Sequence, residues 1–299
     1  MRAAFDIDGT VAFGETGSRT PVQEHVFRRV GVQAMDLFFK SVLTTAGALL
    51  VLAAAQRFGP RVAGLIAALP LVTAPALVWL AHDQGTAFAV GAAVSSVAAC
   101  AMLAIFALIF SIASRYANVG VALAAGCLGA AVMTYPTLAA SVSLVRAIAL
   151  AMIFCGVVRF ALPAPRSSVA RRPASPRGSI GVALTVGTFT ALLATIAPAL
   201  GVTVTGLLSS LPLIGATAAI LEHAHGGHQA STQFLSGYVT GLFGKAAFGV
   251  VFSLLAPPLG SVFAVLLACG AASLLLMMDV RQWSAVSGFV LAPSARRLD

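Results

Sequence analysis

From residue 41 onward the chain repeats one pattern, an apolar run followed by a short polar break. The runs last about 20 residues, the length that crosses a bilayer as a helix, and lack the strict alternation of a membrane barrel strand. They fall at 41–55, 62–80, 87–113, 117–134, 137–158, 180–200, 202–221, 233–255 and 259–278. The pattern predicts an all-α, polytopic membrane protein of about nine spanning helices.

Composition agrees with the pattern. Hydrophobic residues make up 59% and charged residues 9% of the chain. A soluble domain carries about 25% charge, so this one could not cover its surface in water. The net charge of +9 does not point to nucleic acid, because the basic residues sit in the breaks between runs. Cys100, Cys127, Cys155 and Cys269 each lie inside an apolar run and are expected as small buried hydrophobes, not a disulfide framework.

The breaks set the topology. "LPAPRSSVARRPASPRGS" lacks apolar periodicity and carries Arg166, Arg171, Arg172 and Arg177. By the positive-inside rule this linker is cytoplasmic. Arg57, Arg61, Arg115, Arg281, Arg296 and Arg297 then fall on the same side. The N-terminus is outside and the C-terminus inside, with Lys40 as a local exception. The expected units are an extension at 1–34, a five-helix repeat at 35–160, a linker at 161–179, a four-helix repeat at 180–279 and a tail at 280–299.

The repeat rests on two stretches. "GLIAALPLVTAPAL" at 64–77 and "GLLSSLPLIGATAA" at 206–219 share seven of fourteen positions without a gap. "FAVG" at 88–91 and "FLSG" at 234–237 follow them. Five spans separate the two copies, so they cross in opposite directions, as in the inverted-topology repeats of secondary transporters.

"FFKSVLTTAGALLVLAAAQRFGPRVAGLIAALPLVTAPALVWLAHDQG" resembles the GlpM-like small bacterial inner-membrane proteins, with a Phe-Lys helix, an Ala-Gly-Leu helix holding two prolines, and a polar turn ending in Gly. The likeness covers residues 39 to about 136, and this chain departs from it as a tandem copy. The resemblance implies an inner-membrane location and a helical architecture; it supplies no substrate or catalytic residue.

"AAFDIDGTVAF" near the start resembles the nucleophile motif of haloacid-dehalogenase phosphatases, with Asp6 and Asp8 in the key positions. The first 34 residues are too short for that domain, and no acidic pair follows to hold Mg²⁺. An enzyme is not expected. Neither is a cofactor or a metal: Glu222, His223, His225 and His228 in "EHAHGGHQ" have ligand chemistry but no ligand spacing, and read as a solvated turn, as do His82 and Asp83.

Candidate binding residues lie where the spans break or carry charge. Pro70 and Pro212 interrupt the second and seventh spans, with Thr73 and Gly215 following, and Pro75 adds a second proline to the earlier one. Lys245 and Arg146 fall near mid-span by these boundaries, without a nearby carboxylate. Gly237, Gly241 and Gly244 form a stripe for close helix packing. The expected function is a secondary transporter for a small anionic solute, with the bilayer and that solute as partners and self-association left open. The rival is a non-transporting membrane protein that organises lipid or assists a partner complex.

The orientation has a direct test. Ser168→Cys, in a chain whose native cysteines are replaced by serine, should react with an impermeant maleimide only after the cells are permeabilised. Labelling of intact cells would reverse the topology.

Overall fold

The computed structural model describes residues 57–70, 73–162 and 213–290, with isolated positions between 42 and 53; side chains are described except at 213, 214 and 278–290. The N-terminal extension, most of the first span, the sixth span, the linker from 163 onward and the start of the seventh span with Pro212 lie outside these residues. Every element in them is a helix: α1 (Pro60–Ala68), α2 (Thr73–Gln84), α3 (Thr86–Tyr116), α4 (Val119–Val132), α5 (Thr134–Ala140), α6 (Leu144–Ala161), α7 (Leu213–Leu259) and α8 (Ser261–Val290). Five stretches are long and apolar enough to cross a membrane: Pro60–Gln84, Thr86–Tyr116, Val119–Ala140, Leu144–Ala161 and Gly215–Leu259. Ser261–Met277 adds a shorter apolar helix.

The second span is broken where its proline falls. α1 ends at Ala68, and Leu69 turns extended, with φ −58° and ψ 149°. Pro70 has no N–H to offer Ile66, so that carbonyl accepts from the Leu69 amide instead, at 3.1 Å. Pro75 does not act as the sequence suggested. It lies in the first turn of α2, where its missing donor has no intrahelical role.

Two long helices form the centre. α3 starts after Gly85 (φ 89°) and runs 31 residues. α7 is two helices joined at Gly227, whose φ of 68° and ψ of −167° break the helical path. The arm 228–259 lies antiparallel to α3. Ser111 and Thr232 share a hydroxyl hydrogen bond of 2.9 Å near one end. Towards the other, Gly249 packs against Val97 and Ala93.

α1 lies parallel to the same arm and very close to it. A Cβ built on Gly64 would strike the Phe234 carbonyl, and one on Gly237 would strike the Arg61 carbonyl. At Gly241 it would meet the Ala68 Cβ at 2.6 Å. Only glycine lets the two backbones approach this far. The expected stripe is therefore used by α1 at its first two positions, whereas Gly244 faces Leu276 of α8.

Three boundaries differ from the sequence reading. The fourth span continues through α5 to Ala140, and the chain turns at 141–143 before α6. Ser141 and Thr137 bond back to Leu138 and Met133 carbonyls, at 2.7 and 2.6 Å, so hydroxyls inside an apolar run mark the turn. The polar "EHAHGGHQ" is helical on both sides of Gly227, and Glu222 is buried at 2% exposure rather than solvated. α8 continues through Asp279 to Val290 instead of stopping at Met278.

The outer helices are apolar on their open faces. Leu128, Val145, Phe160, Phe263 and Leu266 are all more than half exposed. Such a belt is unsustainable in water and is what a lipid-facing surface requires. Cys127 shares this exposure, whereas Cys100 and Cys155 are buried as expected.

Gly237→Ala should lower stability by about 1–3 kcal/mol, because the added methyl enters the α1 backbone. Gly270→Ala, with nothing within 4 Å, should be neutral or slightly stabilising. Thermal unfolding in detergent measures both, and equal shifts would contradict the close contact.

Candidate functional site

The contacts between α1 and α7 fix the depth of the break. Arg61 meets Gly237 and Leu65 meets Gly241. One further helical turn on each sets Leu69 level with Lys245. The broken second span and the Lys245 ammonium therefore share one level. That level is the middle of the two long helices, since Lys245 lies midway along 228–259 and Cys100 midway along α3.

Lys245 is 8% exposed. Tyr238 precedes it by two turns on the same face and is also buried. The Tyr238 backbone packs on Gly64, and its ring packs on Gly215, where a Cβ would lie 2.9 Å from the ring carbon Cζ. Gly215, a predicted site residue, thus packs on Tyr238, two helical turns from Lys245. Cys100 lies within electrostatic reach of both Lys245 and Tyr238. The Cys155 thiol of α6 points at the Cys100 carbonyl, at 3.6 Å.

Pro70 and Thr73 are both buried at the break. The Ala74 amide at the start of α2 is taken by the Pro70 carbonyl at 2.8 Å, so that donor is not open to a ligand. Hydroxyls elsewhere in the centre are also committed. Ser95, Thr240 and Ser253 each donate to a carbonyl of their own helix. Tyr238 lies about two turns away along the same arm, and the Lys245 ammonium is the charged group at this level. Among residues with described side chains the carboxylates are Asp83, at the end of α2, and Glu222, near Gly227, and neither shares it.

Arg146 does not join them. The turn at 141–143 puts it in the first turn of α6, exposed, about 13 Å of helix from the level of Cys155. The apolar run hides this turn, and Arg146 lies at a helix start rather than at the mid-span position expected from the sequence. Pro212 lies outside the described residues. His82 and Asp83 are exposed at the Gly85 joint, as the sequence suggested.

Tyr238 and Cys100 were missed from the sequence. The available signal for Tyr238 was its spacing of two turns from Lys245 on a glycine-rich face. Nothing in the sequence singled out Cys100. Among the described residues no group of three or more His, Cys, Asp or Glu side chains could hold a metal ion.

The described residues define an all-helical protein whose helices are long and apolar enough to cross a membrane. No protein-family model, no curated protein and no solved structure matches this chain.

Lys245→Met keeps the side chain's length and removes its charge. It should raise stability by about 3 kcal/mol, the scale of a mid-span charge. A loss of stability on thermal unfolding would instead assign Lys245 a structural counter-charge.

Proposed function

We propose that the chain is a secondary transporter of the bacterial inner membrane, built from two inverted repeats, that carries a small anionic solute. Lys245 carries the reading. A buried ammonium at mid-helix depth, with no described carboxylate beside it, is expensive in a low-dielectric interior. An incoming anion relieves that expense, and a cation increases it. Tyr238 offers a hydroxyl on the same face.

Backbone features support the repeat. Gly85 and Gly227 both have positive φ, and they are related by the same offset as the "LP" motifs. Each opens a long helix, α3 and the 228–259 arm, and the two run antiparallel, as opposed repeats require. The Arg115 and Gly227 end is the cytoplasmic end in this reading.

The experiment is uptake into proteoliposomes from a panel of small inorganic and organic anions and cations. Lys245→Ala should reduce anion uptake at least about 100-fold, the effect of losing a charge-assisted contact in a dry site. Lys245→Arg should retain part of it. Asp279→Asn is the counter-test, because α8 carries Asp279 about one turn past the Gly244–Leu276 contact. If that carboxylate were the partner of Lys245, both variants would fail together. A transported cation, or equal uptake by Lys245→Ala and wild type, would refute the proposal.

A further inference from the structure

A second feature lies well away from Lys245. The C-terminal end of α3, the C-terminal end of α6 and the start of the 228–259 arm enclose a half-open cavity of about 460 Å³. This is within the range of small-molecule sites. Its lining divides by chemistry. Arg115, His228 and Gln229 are polar, and Leu108, Ile112 and Leu162 are apolar. The Ser111–Thr232 hydrogen bond closes the region between α3 and the arm.

Arg115 is the one charged side chain of this lining. His228 lies within electrostatic reach of Arg115 and of His223, and offers an imidazole beside the guanidinium. No Asp or Glu is among the lining residues. A guanidinium and an imidazole lining a cavity without a carboxylate is an arrangement that an anion stabilises and a cation does not.

Depth identifies the kind of anion. α3 has 31 residues, about 46 Å of helix, against a hydrocarbon core of about 30 Å. Centred on Cys100, it extends about 8 Å beyond the core at each end, which places Arg115 among phosphate headgroups. Ile112 and Leu108 lie about one and two turns closer to the core, so the apolar part of the lining leads from the headgroup layer toward the acyl chains.

We propose that this recess binds the phosphate of an amphipathic phosphate ester, with Arg115 and His228 on the phosphate and the apolar tail along Leu108, Ile112 and Leu162. The same chemistry belongs to an anionic phospholipid and to a soluble alkyl phosphate. The site does not depend on transport by the chain.

The test is calorimetric titration of octyl phosphate into the full chain in phosphatidylcholine nanodiscs. Saturable binding is expected. Arg115→Gln should weaken it about tenfold or more, the loss of one charge-assisted contact. Arg115→Lys should stay within about threefold of wild type, since it keeps the charge. His228→Gln gives an independent second variant, and its binding should fall as well. Octyltrimethylammonium, with the same tail and the opposite charge, should show no saturable heat. Repeating the titration with phosphatidylglycerol in the disc separates the two sources. A weakened apparent affinity identifies the lipid as occupant, and an unchanged one identifies a soluble ester; either supports the site. Equal binding by wild type, Arg115→Gln and His228→Gln, or equal binding of the octyl cation, would overturn it.

Discussion

The architecture depends on how closely α1 approaches the 228–259 arm. α1 is only nine residues long, and a helix that short is marginal alone. Inside a bilayer no hydrophobic force draws helices together, because lipid tails are as apolar as leucine. Association has to come from close packing. Gly64 and Gly237 remove the side chains that would keep the backbones apart, and each backbone then meets the other's carbonyl groups. This contact holds the end of α1, and therefore the break at Leu69 and Pro70, at the level of Lys245. Without it the break would be a loose kink with no fixed relation to the ammonium.

Much of this was legible in the sequence, for a physical reason. Span-length apolar runs leave few alternatives to helices, because backbone polar groups in lipid must be satisfied within the segment. The break at Pro70 was legible because proline removes a donor wherever it stands inside a helix. The packing role of Gly237 and Gly241 was legible because small residues one turn apart have few other uses in a membrane. Three features were hidden. Ser141 and Ser143 are neutral on a hydropathy scale, so a turn that sends Arg146 to a helix start looked like continuous span. Glu222 looked solvated because its neighbours are histidines and glycines, although the chain stays helical there and buries it. The end of α8 was misplaced because "DVRQW" resembles a polar stop, yet the helix runs through it.

The corrections concentrate the chemistry. With Arg146 at a helix start, one ammonium is left at mid-depth where two cations had been expected. Its setting is also more specific than span boundaries implied. Two turns earlier on the same arm, Tyr238 packs on Gly64 and on Gly215, so residues from both matched stretches meet around that one side chain. Small residues at both contacts are needed for a second reason. A bulkier group at either would push the ring aside, which ties the packing of the two matched stretches to one side chain.

The two basic levels are distinct. His228 and Lys245 lie on one straight arm, about 25 Å apart by helical rise, and Arg115 lies near His228. An ion cannot contact both levels at once. The upper bound on shared electrostatics is also low, since exposed charges separated by more than about 10 Å are screened in salt. The recess is half-open, whereas Lys245 is enclosed. An anion held by Arg115 and His228 therefore remains in contact with water, and one that reached Lys245 would lose most of its hydration. Shedding that hydration is the larger energetic step, and the broken second span lies at the level where replacement contacts would be required.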